Sequence, residues 1–189
     1  MSREITGKTV AILAADGFEE SELFSPKEAI EAAGGEAIIV SFQEGEIEAN
    51  RHREKGKAIR VDRTLEDAHA SDFDALVVPG GLFSPDALRV KSEATGFVQS
   101  FFEQKKPVAS ICHGPQVLID AGVVSGRTMT AIENIRGDLE NAGANVVDEA
   151  VVVDDGLVTS RNPDDLPQFC AKLVEEICEG KHAAQARSA

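Results

Sequence analysis

Cys112 is the residue of this chain whose position most directly points to chemistry. It follows the apolar run 108–111, and His113, Gly114 and a helical pattern come after it. A thiol at such a strand-to-helix turn lies beside a helix N-terminus, whose partial positive charge should lower the pKa of the thiol. Hydrolases expose a nucleophilic serine on a turn of the same kind. The turn alone leaves a reactive thiol and an inert one as alternatives, because free cysteines are usually buried.

Two other segments carry groups that can assist such a thiol. Residues 16–22, Asp-Gly-Phe-Glu-Glu-Ser-Glu, follow one apolar run, and Gly80 and Gly81 follow another. A Glu22 carboxyl held in a partly apolar site would have a raised pKa and could donate a hydrogen bond to the thiolate. Backbone N–H groups of successive glycines suit an oxyanion hole. Taken singly, acids at a helix start are usually solvated and a Gly-Gly pair is usually a plain turn, so these alternatives stay open.

The order of elements predicts an α/β fold. Short apolar runs typical of buried strands alternate with helical patterns, and they lie at residues 9–14, 36–41, 74–78, 107–111 and 157–160. Such an order predicts a mostly parallel sheet with helices on both faces, a three-layer sandwich that binds ligands at the carboxyl ends of its strands. We expect one domain over residues 1–180, with a hairpin or appendage within 43–68, and a flexible tail over 181–189. Pro26 predicts a kink or restart in the helix at about 19–33.

Composition narrows the classes of partner. The formal net charge is -14, which disfavours nucleic acid and anionic membranes, because phosphate binding needs clustered Lys and Arg. No run approaches the roughly 20 apolar residues of a membrane span. The three cysteines form no C-x-x-C pair and are odd in number, which disfavours a disulfide framework. This pattern predicts that the protein resides in the reducing cytoplasm. Cys112 and His113 are adjacent and so lack metal-ligand spacing, and we predict neither a metal nor a cofactor.

Four segments together resemble the PfpI-like group of the DJ-one superfamily, over about residues 8–179. Each segment is moderately specific by itself, whereas their order and spacing are strongly specific. The segments are 16–22, 78–81, 109–115 and 160–164. The resemblance implies a flavodoxin-like fold akin to class I glutamine amidotransferases, and it favours the reactive interpretation of Cys112.

The resemblance also implies roles for individual residues. Cys112 matches the family's nucleophile, His113 the histidine that follows it and is proposed as its base, and Glu22 the acid that hydrogen-bonds the cysteine. Glu19 and Glu20 are second choices for that acid, and Glu19 is expected beside the substrate. Asp86 lies near a third acid, which can come from a neighbouring subunit. Gly80 and Gly81 match the loop whose amides face the sulfur.

The function implied is a cysteine-dependent enzyme of the stress response that acts on reactive carbonyls or glycated groups, as a glyoxalase or deglycase, or as a hydrolase or peptidase. The substrate would be a small carbonyl compound or a glycated protein, and the chain would form a homodimer or larger homo-oligomer. The alternative is a non-catalytic sensor of oxidative stress, or a chaperone, that uses an oxidisable Cys112. One departure concerns the pocket: residues 131–134 read Ala-Ile-Glu-Asn where PfpI-type members often have Tyr-Pro-Gly.

Overall fold

A central sheet of seven strands organises the computed structural model, which describes residues 4–188 and the side chains of residues 4–185. In chain order the strands are β1 (Thr9–Leu13), β2 (Phe18–Glu19), β3 (Glu36–Ser41), β4 (Glu46–Arg51), β5 (Glu54–Arg60), β6 (Arg63–Thr64), β7 (Ala75–Val78), β8 (Val108–Ile111), β9 (Thr128–Met129), β10 (Asn145–Val146), β11 (Val151–Asp154) and β12 (Leu157–Ser160). The helices are α1 (Glu20–Ala32), α2 (Phe83–Arg89), α3 (Ser92–Glu103), α4 (Pro115–Asp120), α5 (Arg136–Asn141) and α6 (Leu166–Glu179).

The strand order of the main sheet is β11-β12-β8-β7-β1-β3-β6. All neighbours in it are parallel except β11 and β12, which are antiparallel. The predicted fold class is therefore confirmed. Because β8 lies between β7 and β12, the loops that follow these three strands meet at one edge of the sheet.

Alternate residues of the inner strands face two separate apolar layers. Leu13 of β1 belongs to the cluster that includes Phe101 of α3, whereas Ile12 belongs to the cluster with Ile30 of α1 and Phe169 of α6. All five side chains are fully buried. Burial of each contributes roughly 1.5–3 kcal/mol, so the two layers hold the helices against both faces of the sheet.

The helices differ from the sequence-based expectation in two respects. First, α1 continues through Pro26 without a restart, since the proline lies inside a single helix whose buried face includes Leu23 and Ile30. Packing of this face against β1 and β3 outweighs the one hydrogen bond that a proline removes. Second, α2 and α5, of seven and six residues, were not predicted. Helices this short have too few turns for a clear hydrophobic period.

The segment expected to be a hairpin or appendage is a hairpin. Strands β4 and β5 pair antiparallel, and β4 also pairs with the two-residue strand β2, which precedes α1. This small sheet places the turn at residues 52–53 near the point where α1 begins. None of the helices in residues 4–188 combines the length and the apolar character that crossing a bilayer requires.

Residues 183–188 form a 3-10 helix rather than the loose tail that we expected after residue 180. Gln185 is fully buried: its Oε1 accepts a hydrogen bond from Arg127 Nη1 at 2.9 Å, and its Nε2 donates to the Lys106 carbonyl at 3.1 Å. Arg127 is itself fully buried, 5.2 Å from the centroid of the Phe102 ring. The segment thus contributes polar partners to a buried guanidinium, which composition did not reveal.

Replacement of Gln185 should therefore destabilise the fold. In Gln185→Ala the Arg127 guanidinium and the Lys106 carbonyl each lose one buried hydrogen bond to the Gln185 side chain, and we expect the free energy of unfolding to fall by about 1–3 kcal/mol. Urea denaturation measures it. The matched control is Ala183→Ser, an exposed change in the same segment, which should unfold like wild type. Equal stability of both variants would mean that the segment does not pack on the domain.

Candidate active site

The backbone at Cys112 is held in an unusual conformation. Its φ is 61°, in the left-handed region that a non-glycine residue adopts at a cost of roughly 1–2 kcal/mol. The N–H of Cys112 donates to the Ser160 carbonyl of β12 at 3.1 Å, and its carbonyl accepts the N–H of Ile132 at 3.4 Å. These two bonds fix the turn at the end of β8. Strain of this kind that the surrounding structure maintains is frequent at functional sites.

Glu22 is a fully buried acid next to this cysteine. Its Oε2 accepts the N–H of Gly80 at 2.8 Å, whereas its Oε1 is buried and has no hydrogen-bond partner of the usual geometry in the part of the chain that the structure describes. Burial raises the pKa of Glu22 to about 8, and the charge of Glu19 acts in the same direction, although the Gly80 N–H opposes both. At neutral pH the carboxyl is therefore mostly protonated, and it can donate a hydrogen bond towards the Cys112 sulfur.

The two glycines after β7 permit this close approach. A Cβ atom on Gly80 would lie 2.7 Å from Cys112 Cβ and also against the Glu22 carboxyl. Gly81 has a φ of 92°, and a Cβ there would lie 2.5 Å from the carbonyl oxygen of Gly17. Only glycine fits at either position without a shift of the backbone. The loop consequently brings the Gly81 N–H towards the Cys112 sulfur, whereas the Gly80 N–H is used by Glu22; a role for these amides in stabilising an oxyanion stays a prediction.

The expectation of a lowered pKa for Cys112 is not met by its surroundings. The residue is only 7 % exposed, and burial, followed by the nearby Glu22, raises the pKa of the thiol. The N–H groups of His113 and Gly81 act in the opposite direction but are outweighed. Helix α4 adds little, because it has six residues and begins with Pro115, which has no N–H. Since the thiol and the carboxyl repel when both are ionised, the pair retains at least one proton near neutral pH.

His113 is a base beside the thiol. Its Nδ1 lies 3.4 Å from Cys112 Sγ, within hydrogen-bonding range for sulfur. Partial burial lowers the pKa of the imidazole, so the ring is neutral at physiological pH and can accept a proton. The structure thus brings the predicted nucleophile and the predicted base together, and the raised pKa of Cys112 leaves the proton on its sulfur before reaction.

A cavity of about 180 Å³ opens onto the sulfur. Its walls come from the loops after β7, β8 and β12 and from the start of α1, and also from the β4–β5 hairpin. The lining residues are Glu19, Glu22, Asn50, His52, Gly81, Leu82, Cys112, His113, Ile132 and Pro163. This volume is below the roughly 300–1,000 Å³ of pockets for drug-sized ligands. The cavity therefore fits a small compound or the end of a side chain.

Asp86 and Glu19, two of the predicted site residues, differ in their relation to the cavity. Asp86 lies in the first turn of α2, is exposed and is not among the residues that line the cavity, so a role for it from a partner subunit stays a prediction. Glu19 does line the cavity, and its Oε2 also accepts the backbone N–H of His52 at 3.1 Å. Glu19 therefore holds the hairpin in addition to lining the cavity.

Sequence reasoning missed the contribution of the hairpin. Asn50 and His52 both line the cavity, although neither was among the predicted site residues. The His52 side chain is exposed at the cavity mouth. No local motif marks either residue, because their approach to Cys112 depends on the pairing of β2 with β4.

Away from the cavity, one group of side chains has a geometry that can suit a cation. Ligand atoms of Glu176, Glu179 and His182 lie within 4.8 Å of one another. His182 Nε2 is 3.0 Å from Glu176 Oε2, and this polar contact by itself accounts for the approach of the two residues. None of the three lines the cavity at Cys112.

Known proteins resemble this chain over most of its length. A model of the DJ-1/PfpI family matches residues 8–176. A Bacillus subtilis protein named "Putative cysteine protease YraA" is 47 % identical over 162 residues, which are 86 % of this chain and 94 % of that protein.

Solved structures resemble it equally in fold. DJ-1beta of Drosophila melanogaster has a TM-score of 0.81 and 30 % identity, with 90 % of each chain covered. A two-domain protein of Anabaena variabilis, with DJ-1/ThiJ/PfpI-like and ferritin-like domains, has a TM-score of 0.84 and 38 % identity. The similarity covers 90 % of this chain and 48 % of the Anabaena chain.

The raised pKa of Glu22 makes stability depend on pH. The folded chain keeps the Glu22 proton up to about pH 8, whereas the ordinary pKa of the group is 4.5. Between these values the folded state binds one more proton than the unfolded state, so the free energy of unfolding falls as pH rises. Glutamine cannot ionise and still accepts the Gly80 N–H. We expect Glu22→Gln to gain stability relative to wild type steadily from pH 4.5 to 8, measured by urea denaturation.

The matched control is Glu28→Gln, an exposed position on the same helix, whose difference from wild type should not vary across this pH range. A constant difference between Glu22→Gln and wild type from pH 4.5 to 8 would show that Glu22 is ionised in the folded protein.

Proposed function

Because the chain belongs to the DJ-1/PfpI family, we propose that it is a cysteine-dependent enzyme that acts on small reactive carbonyl compounds and on glycated groups formed from them. One observation carries this proposal: Cys112 Sγ has a neutral imidazole 3.4 Å away and opens onto a cavity of about 180 Å³. A nucleophile, a base and room for a few atoms of substrate are what carbonyl addition requires.

The first step is addition of the sulfur to an aldehyde carbon. His113 Nδ1 takes the thiol proton as the sulfur–carbon bond forms, so the raised pKa of Cys112 is no obstacle, since the thiolate need not exist beforehand. The carbonyl π electrons become an oxyanion, which the N–H groups of Gly81 and His113 can stabilise. The imidazolium then returns the proton to this oxygen, and the product is a neutral hemithioacetal.

A 2-oxoaldehyde can proceed from there without any oxidant. The C–H proton of the hemithioacetal carbon moves to the neighbouring carbonyl carbon through an enediol, which yields the thioester of a 2-hydroxy acid. Water then hydrolyses the thioester, and the thiol is regenerated. One water is added overall, and no electrons are exchanged with another compound. Glu22 and His113 are the groups beside the sulfur that can carry protons in these steps.

Cavity size favours small substrates over peptides. A peptidase must hold several residues of an extended chain on both sides of the bond that it cleaves. The cavity at Cys112 holds only a small group, and the hairpin residues Asn50 and His52 bound it on one side. A glycated side chain can insert its modified end, whereas a peptide backbone would have to displace the hairpin.

The proposal is tested by turnover of methylglyoxal with mass analysis of the product. Cys112→Ala should reduce turnover to the level of buffer, because no other group in the cavity forms the covalent intermediate. His113→Gln should reduce turnover by about 10²–10⁴-fold, the usual contribution of a general base. The control is Cys170→Ala, a thiol on α6 away from the cavity, which should retain full activity. Full activity in Cys112→Ala would refute the mechanism.

A second function, an oxidation sensor, is favoured by the Glu22 carboxyl. Among the side chains of residues 4–185, its Oε1 is buried without a hydrogen-bond partner of the usual geometry, and the raised pKa keeps the group protonated near neutral pH. A sulfinate on Cys112 would supply negative oxygens that accept this proton, which would make it the stable oxidation product. No turnover would then be needed.

On this alternative, a limiting dose of peroxide should add two oxygen atoms to Cys112, as detected by intact mass. The experiment uses Cys178→Ser as the parent, because Cys178 is exposed and would otherwise react as well. Glu22→Gln in that parent should accumulate less sulfinate, since an amide is a weaker donor than a carboxylic acid. Sulfinate formation together with an absence of methylglyoxal turnover would favour the sensor, and turnover without stable sulfinate would exclude it.

A further inference from the structure

The tip of the β4–β5 hairpin forms a polar part of the cavity wall, next to Glu19 of β2. Asn50 and His52 both line the cavity, whereas Leu82, Ile132 and Pro163 supply apolar surface. The pairing of β2 with β4 sets Asn50 directly beside Glu19. The position of the tip relative to Cys112 is therefore determined by β2, which leads into α1.

Three carboxylates of the segment 16–20 fasten this hairpin through its backbone. Asp16 Oδ1 accepts the N–H of Glu48 at 2.8 Å, and Glu20 Oε2 accepts the N–H of Lys57 at 2.7 Å. Glu19 Oε2 accepts the N–H of His52, which has a left-handed φ of 59°. Because each anchor uses a backbone N–H, the side chains at the tip are not needed to hold it.

The Asn50 amide and the His52 ring are consequently available to a ligand. Across residues 4–185, neither side-chain group hydrogen-bonds to another part of the chain, although both face the cavity. An amide group offers N–H donors and a carbonyl acceptor, and an imidazole ring offers an N–H donor and, when unprotonated, an acceptor nitrogen. Their best partner is a group that can donate and accept at the same time.

The charges around the cavity narrow the class of that group. An anionic substituent would face the Glu19 carboxylate, and a purely apolar one would leave the two polar groups of the tip without a partner. A hydroxyl group is neutral, donates and accepts, and is small enough for a cavity of about 180 Å³.

We propose that Asn50 and His52 bind a hydroxyl group on the carbon next to the substrate carbonyl, so that the enzyme prefers hydroxylated aldehydes to their unsubstituted counterparts. This preference rests on the proposed function only in requiring that Cys112 adds to aldehydes. The sulfur forms a bond to the carbonyl carbon, and the thiol proton ends on the former carbonyl oxygen. The step is reversible and needs no further reactant.

The experiment measures how glycolaldehyde and acetaldehyde protect Cys112 from iodoacetamide. The two compounds differ by one hydroxyl group, and neither requires turnover. Each half-protecting concentration is divided by the value for free N-acetylcysteine, which removes the intrinsic difference in their reactivity. We expect glycolaldehyde to protect wild type at about tenfold lower normalised concentration, the effect of one or two hydrogen bonds.

Substitutions in the hairpin identify the groups responsible. His52→Leu and Asn50→Leu should each reduce the preference, and the double variant should reduce it to within about twofold of no preference. The matched control is Arg53→Ala, because Arg53 is exposed in the same turn and does not line the cavity. It should retain the preference of wild type.

The outcomes separate this inference from the proposed function. Equal normalised protection by the two aldehydes, or a preference that survives the double variant, would overturn the role of the hairpin while leaving carbonyl addition intact. Protection by neither aldehyde would overturn both. If the wild type does not turn over methylglyoxal but still prefers glycolaldehyde to acetaldehyde, the proposed enzyme activity is contradicted and the hydroxyl-binding site is retained.

Discussion

The hydrogen bond from the Gly80 N–H to Glu22 is the interaction on which the rest of the site depends. It connects the start of α1 to the loop after β7, and both the Gly80 N–H and the Glu22 carboxyl are shielded from water. Burial then keeps the carboxyl protonated near neutral pH, and a neutral carboxyl can lie against the Cys112 sulfur without repelling it. A carboxylate in the same place would oppose every anionic intermediate. Exclusion of solvent from Glu22 is therefore what allows this carboxyl to act as a hydrogen-bond donor beside the sulfur.

The cysteine is activated by its neighbours at the moment of reaction rather than by a standing negative charge. Burial disfavours ionisation of the Cys112 thiol. The helix that follows does not reverse this, because it has only six residues and its first residue, Pro115, has no N–H to donate. The neutral His113 ring supplies the missing base, because burial also disfavours its protonated form. The same burial that suppresses the thiolate therefore prepares the imidazole to accept its proton.

The acidic segment 16–22 divides its work between structure and chemistry. Glu22 points into the interior and meets the sulfur, whereas Asp16, Glu19 and Glu20 hold the backbone of the β4–β5 hairpin. The turn before α1 and the start of that helix therefore position both the Glu22–Cys112 pair and the hairpin wall of the cavity. Four acids that faced one another would repel. The repulsion is reduced because three of them instead accept hydrogen bonds from backbone N–H groups of the hairpin.

Much of this protein could be predicted from the order of its residues. The alternation of apolar runs and helical patterns predicted the parallel sheet, since strands buried on both faces must be apolar throughout. The strand-to-helix turn singled out Cys112 as a candidate, because local backbone geometry requires only neighbours in the chain, and the resemblance to the PfpI-like group supplied the role of His113. Two features depended on contacts between distant segments. The hairpin residues Asn50 and His52 reach the cavity through the pairing of β2 with β4, and Gln185 reaches Arg127 across the fold. The protonation of Cys112 and Glu22 likewise follows from burial, which no local pattern measures. The chain order therefore determined which groups can react, and the tertiary structure decided what surrounds them, because solvent exclusion and long-range pairing arise only when the whole domain packs.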